Sequence, residues 1–132
     1  MKVEIRREDY RSLPAHASVP ITFDVRAVIH IAAMRPDHLT VPTRAVGRPW
    51  EKNYDAVPGN DPATWPSRFD IRPWNYLASY LEASRVGGAI VVAEPLAAAQ
   101  LDGRPGASIL WDLRVAPASR RRGIGRRLVA AA

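Results

Sequence analysis

The chain has no cysteine. That excludes a disulfide scaffold, a thiolate metal site and a cysteine nucleophile. No stretch reaches the roughly 20 apolar residues of a membrane-spanning helix. The charged opening MKVEIRREDY lacks the apolar middle of a secretory signal. These absences fit a protein of the cytoplasm. Histidine is scarce: His16, His30 and His38 are scattered without the spacing of a ligand set, which argues against a metal. There is no internal repeat and no low-complexity tract. The last scarcity is local, because residues 114–132 contain no acid at all.

What is present suits a single domain. The 132 residues are 47% apolar and include four Trp and four Tyr, enough for a sizeable core. Twelve prolines, most of them before residue 74, predict a loop-rich first half. Residues 2–6 read as a short strand. Residues 21–33 (ITFDVRAVIHIAA) alternate, with Ile21, Phe23, Val25, Ala27, Ile29 and Ile31 on one face and Thr22, Asp24, Arg26 and His30 on the other. That pattern predicts a long half-buried strand. Residues 35–50 are interrupted by proline and read as irregular, with a short strand near 43–46. Asp61-Pro62 reads as an N-cap and first-turn proline opening a brief helix that Pro66 limits.

The second half is more regular. Residues 74–81 (WNYLASYL) predict a strand, 82–85 a polar turn, and 86–93 (VGGAIVVA) a buried strand. Gly87 and Gly88 mark a bulge or a close backbone approach in it. Residues 95–106 read as an Ala-rich loop with a turn at Asp102-Gly103. Residues 108–115 (SILWDLRV) are a further strand that Pro117 ends. A helix opens near Gly123, with Ile124, Leu128 and Ala131 or Ala132 on one face. The sum is a mixed α/β fold: a mostly antiparallel twisted sheet with the last helix packed on one face.

Charge is distributed unevenly. Thirteen basic and thirteen acidic groups cancel over the first 113 residues, so the net +6 belongs to the six arginines of RVAPASRRRGIGRRLVAAA. Cations at a helix start oppose the helix dipole. An anion bound there resolves the conflict, and phosphate is the usual guest. Arg120-x-x-Gly123-x-Gly125 supplies consecutive backbone N–H groups, with the glycines clearing side chains from the approach. A Rossmann loop would need a small residue where Leu128 stands. A P-loop would need Lys and Ser or Thr where Arg126 and Arg127 stand.

Strand, tight loop, Arg-x-x-Gly-x-Gly and apolar helix together resemble the acetyl-CoA site of the GCN5-related N-acetyltransferase family. The motif spans residues 110–131 (LWDLRVAPASRRRGIGRRLVAA), and a weaker likeness reaches back to Trp74. The resemblance implies residues 74–132 as the acetyl-CoA half of one domain and 1–73 as a variable, acceptor-side half. It implies that the backbone of Leu113, Arg114 and Val115 holds the pantetheine arm and offers an N–H to the developing thioester oxyanion. It assigns the pyrophosphate to Arg120, Arg121, Arg122, Gly123, Ile124 and Gly125. The family continues past this helix with a further strand and helix that carry an Asn and a Tyr, so the resemblance also implies a truncated form, or one completed by a second copy or a partner chain.

Asp112, beside the expected thioester, is the candidate general base, acting directly or through water; the plainer reading pairs it with Arg114 on the same strand face. Ile109 stands where some relatives carry a glutamate base, and Glu82 and Glu94 are strand-end alternatives. Tyr76, Tyr80, Trp50, Tyr54, Trp65 and Trp74 are candidates for either core or acceptor pocket. The function implied is acetyl transfer from acetyl-CoA to an amine of a small molecule or peptide, without metal or membrane. The competing readings are a basic nucleic-acid-binding module, disfavoured because no aromatic platform interleaves the arginines, and a non-catalytic fragment that pairs through an open sheet edge.

Overall fold

The computed structural model describes residues 2–33, 35, 41–93 and 106–132. The loop expected over 95–106, with Asp102-Gly103, lies almost wholly outside the described residues, as do Glu94 and His38.

Among the described residues there are six strands and two α-helices: β1 (Val3–Glu8), α1 (Leu13–Ala17), β2 (Phe23–Ile29), β3 (Thr43–Lys52), β4 (Asn75–Leu81), β5 (Ser84–Ala93), β6 (Ser108–Val115) and α2 (Ile124–Ala131). Four form an antiparallel sheet in the order β1-β4-β5-β6, while β2 and β3 form a separate antiparallel ribbon. The expected mixed, antiparallel architecture is therefore the one observed. A 3-10 helix over Pro62–Ser67 opens as expected, with the Asp61 carboxylate accepting from the Ala63 N–H at 2.9 Å. Pro66 lies inside it rather than ending it.

The sheet is covered on both faces. On one, Leu13, Trp65, Ile71, Trp74, Tyr76, Ile90 and Val92 form a core extended by Phe69, Ile109 and Trp111. Its rings interlock, Trp111 lying 5.0 Å from Trp74 and 5.1 Å from Phe69 by centroid. On the other, Ile124 and Leu128 of α2 pack on Val3, Leu77, Val86 and Ala89, joined by Leu113 and Val115. Burying those two helix side chains contributes about 1.5–3 kcal/mol each, which holds an otherwise marginal eight-residue helix in place.

Two expectations need correction. The strand read over 21–33 is shorter and not half-buried: β2 ends at Ile29, residues 31–33 form a 3-10 turn, and Phe23, Ile29 and Ile31 are 39%, 56% and 77% exposed. A two-stranded ribbon has no second layer of its own, so its alternation records amphipathicity without a cover. Meanwhile β3 runs ten residues through Pro49 instead of stopping near 46. Between the pairs Val25–Trp50 and Ala27–Ala45 the register slips, leaving β3 several residues longer than its partner there. Pro49 falls in that slipped stretch, where a missing N–H costs no ladder bond.

Candidate functional site

β6 carries the site, and a bulge determines its geometry. Ile90 pairs with Asp112 and the next residue, Val91, with Leu110, so Trp111 is the extra residue. Strict alternation would put 109, 111, 113 and 115 on one face. Instead Ile109 and Trp111 join the aromatic core, whereas Leu113 and Val115 join the α2 core. The strand changes phase at Trp111, which places Asp112 and Arg114 on the aromatic side.

On that side a charged cluster forms. The Arg114 side chain has no exposure. Its Nε donates to Asp112 Oδ2 at 2.8 Å, its two terminal nitrogens donate to both Asp55 oxygens at 3.0 and 3.1 Å, and Nη1 also donates to the Val19 carbonyl at 3.1 Å. His16 Nε2 lies 2.6 Å from Asp112 Oδ2. Asp55 is oriented by its turn, where Asn53 accepts the Asp55 N–H at 3.0 Å. Burial acts to raise the Asp112 pKa, but the hydrogen bonds of His16 and Arg114 outweigh it and hold the carboxyl below its ordinary range. Burial likewise opposes the charge on Arg114, and the two carboxylates restore it, leaving its pKa raised. The plain pairing of Asp112 with Arg114 is thus present, inside a larger network.

Gly88 explains how His16 gets so close. A Cβ there would lie 2.5 Å from His16 Nδ1 and 2.9 Å from the Leu77 carbonyl. At Gly87 a Cβ would lie 2.6 Å from the Arg114 carbonyl. The close approach expected of this Gly-Gly pair is observed, and a bulge sits beside it at Val86.

Asp55 and Asp112 open onto a depression of about 380 Å³ lined also by Ile21, Tyr54, Asn60, Trp65, Arg68, Ile109 and Trp111. The other expected aromatics divide. Trp74 and Tyr76 are core, the Tyr76 hydroxyl donating to the Ile71 carbonyl while burial pushes its pKa up to about 12. Trp50 is exposed on the ribbon. Tyr80 bonds Glu8, and burial together with that carboxylate raises its pKa, the Glu8 bond counting most. Glu82 sits in the β4–β5 turn with φ 54°. His30 lies in the irregular segment after β2 and is exposed.

On the other side, Leu113, Val115, Arg120, Arg121, Gly123, Ile124 and Gly125 line one depression of about 280 Å³, together with Ser119. Gly123 caps α2 in the left-handed conformation (φ 77°), and Arg121 shares that hand (φ 63°). Alternation of backbone hand across successive residues curves their N–H groups into an anion-binding concavity. The first turn of α2 adds N–H groups that have no acceptor within the helix. These features fit a pyrophosphate. The side chains of three of the expected residues are directed elsewhere. Arg114 turns to the opposite face, Arg122 lines a surface depression with Lys2, Glu4, Leu81 and Glu82, and the Arg120 guanidinium is spent on backbone carbonyls.

His16 and Asp55 were missed by sequence reasoning. The weak signal for His16 was its spacing of three from Leu13, the two buried residues of α1. Nothing local marks Asp55.

The sequence model of the acetyltransferase (GNAT) family matches residues 50–132. The chain belongs to this family. No curated protein matches it in sequence. Among solved structures it is similar to a Bacillus anthracis protein described as a streptothricin acetyltransferase, in complex with acetyl coenzyme A, with TM-score 0.64 and 15% identity. It is similar also to a nourseothricin acetyltransferase, with TM-score 0.65 and 17% identity. The GNAT chain is covered to 98% and 99% in these alignments but spans only 65% and 64% of the two relatives. No helix among the described residues is long and apolar enough to cross a membrane.

Proposed function

We propose that this chain forms the acetyl-CoA-binding part of a cytoplasmic N-acetyltransferase acting on an amine. The observation that carries the reading is the double role of β6. One strand lines a phosphate-type cradle with Leu113 and Val115 and a carboxylate-bearing depression with Ile109, Trp111 and Asp112. A strand so placed would hold donor and acceptor on opposite sides of its own backbone, which supports the reading.

Acetyl-CoA would supply the acetyl thioester. The chain's residues have separate tasks. The N–H groups of residues 121–125 and the Arg121 charge hold the pyrophosphate. The backbone of Leu113, Arg114 and Val115 lies along the arm, and an N–H of this stretch is placed to meet negative charge on the thioester oxygen. Asp112 receives a hydrogen bond from the incoming amine. Two donors already hold its pKa down, so as a base it works best through water, passing the proton outward instead of keeping it. Asp55, with the rings of Tyr54 and Trp65, favours an acceptor that carries a further positive charge. The names of the two structural relatives make streptothricin and nourseothricin the first acceptors to try.

Calorimetric titration of acetyl-CoA tests the reading, with the Arg121→Ala, Gly123→Ala double variant as control. Binding that the double variant weakens by about tenfold or more supports it. Absence of binding, both here and in a version extended beyond residue 132, overturns it. A mass-spectrometric screen of streptothricin, small polyamines and peptide N-termini then identifies the acceptor by the gain of one acetyl group.

A further inference from the structure

Residues 19–22 join α1 to β2 without regular structure. Two arginines from the motif region meet three of their four carbonyls. Arg114 Nη1 donates to Val19 at 3.1 Å, Arg120 Nη2 to Pro20 at 3.3 Å, and Arg120 Nη1 to Thr22 at 2.5 Å. The Arg120 Nε closes the fork on the Val115 carbonyl at 2.8 Å, at the end of β6. Within this strap Val19 is buried, and Ile21 reaches the depression that holds Asp55 and Asp112. The strap is therefore a wall of the acceptor depression, and the cradle loop grips it from behind.

Charge alone would put Arg120 on phosphate with its neighbours. The geometry assigns it elsewhere: we propose that Arg120 is a positioning residue for the acceptor, tying the strap at residues 19–22 to the cradle so that cofactor binding sets the acceptor wall, while Arg121 supplies the side-chain charge for phosphate. This rests on the acetyl-transfer reading above. The chemistry favours arginine for the task. A planar guanidinium spans three carbonyl acceptors at fixed angles, whereas a lysine ammonium offers a compact point charge on a flexible stem. Both arginines line the cradle, and Arg120 is the one whose guanidinium is engaged on carbonyls, while Arg121 has its backbone in the left-handed region.

The test compares Arg120→Met, Arg120→Lys and Arg121→Met with the parent chain. Hydrogen exchange is followed at the amides of Val19, Ile21 and Thr22, and acetyl-CoA affinity by calorimetry. Charge-assisted hydrogen bonds of this kind set the scale of the expected effects, about tenfold for each loss. Arg121→Met is expected to weaken acetyl-CoA binding by about that factor, while both Arg120 variants stay within about threefold. Acetyl-CoA is expected to slow strap exchange in the parent and, at saturation, in Arg121→Met, but not in Arg120→Met. Arg120→Lys, which keeps the charge and the stem, is expected to fold and still lose most of that response. With the amine found by the screen, the Arg120 variants raise its KM and leave the KM for acetyl-CoA unchanged. If Arg120→Lys loses acetyl-CoA as severely as Arg121→Met, or if parent strap exchange ignores acetyl-CoA, the assignment is overturned. A parent chain that binds no acetyl-CoA overturns the acetyl-transfer reading instead.

Discussion

The two faces of the sheet at β6 are held by different forces. On the aromatic face, Asp112 and Arg114 sit in a buried charge cluster completed by His16 and Asp55. On the α2 face, Leu113 and Val115 pack against aliphatic side chains and a single helix. Aliphatic packing is non-directional and adds stability in proportion to area. Buried charges offset most of their attraction with desolvation, so they add little net stability, yet losing one partner leaves the others stranded. The aromatic face is thus exact in geometry and unforgiving of single changes. The α2 face is tolerant in its core and demanding only where its backbone bends.

The sharpest way to break that contrast is Arg114→Met. It strands Asp112 and Asp55 and is expected to cost about 4 kcal/mol in urea unfolding; a loss below about 1 kcal/mol would mean the cluster holds nothing. Leu128→Ala, the equivalent insult to the other face, is expected to cost about 3 kcal/mol by cavity formation. It should also weaken acetyl-CoA, because α2 carries the cradle's N–H groups. Gly88→Ala drives a methyl group into His16 and the Leu77 carbonyl. About 1–3 kcal/mol is expected, with acetyl-CoA affinity unchanged, since the damage falls at His16, on the face away from the proposed cradle.

Acid sharpens the comparison from another direction. Asp112 has a lowered pKa in the folded state. Its contribution is complete above the unfolded carboxylate pKa and is lost as pH falls below about 4. Stability followed by circular dichroism should drop there in the parent chain, and less steeply in Asp112→Asn; equal slopes would separate Asp112 from the acid limb. The smallest effect is expected at Gly125→Ala. A Cβ there meets Val115 and Leu113 only at 3.9 and 4.0 Å, and its φ is not left-handed. Stability should stay within about 0.5 kcal/mol, whereas Gly123→Ala at φ 77° should cost about 1 kcal/mol or more.

Much of the second half was legible because its signals are local. The strand expected over 108–115 is β6, the one over 74–81 begins a residue later as β4, and the helix after Gly123 buries Ile124 and Leu128 as its spacing requires. The first half was harder. α1 is only five residues long, too short for a periodic pattern to declare itself. β3 passed for irregular because Pro49 reads as a breaker until the register slip beside it is known. In the ribbon, Phe23 and Ile29 alternate correctly but stand exposed.

Local pattern was sufficient to propose the cradle, whose candidate donors are consecutive backbone N–H groups marked by neighbouring letters: Pro117, Arg121, Gly123, Ile124. The buried charge cluster had no such script. His16 and Asp112 are 96 positions apart, Asp55 and Arg114 59, and the residue that unites them on one face is a bulge at Trp111 with no letter of its own. The same holds for Arg120, which by its neighbours in sequence would go to phosphate and by two of its three carbonyl partners, Pro20 and Thr22, is tied to the strap. Short-range chemistry follows from order along the chain. Contacts between distant side chains follow from how the sheet closes over its two cores, and only folding brings them within reach.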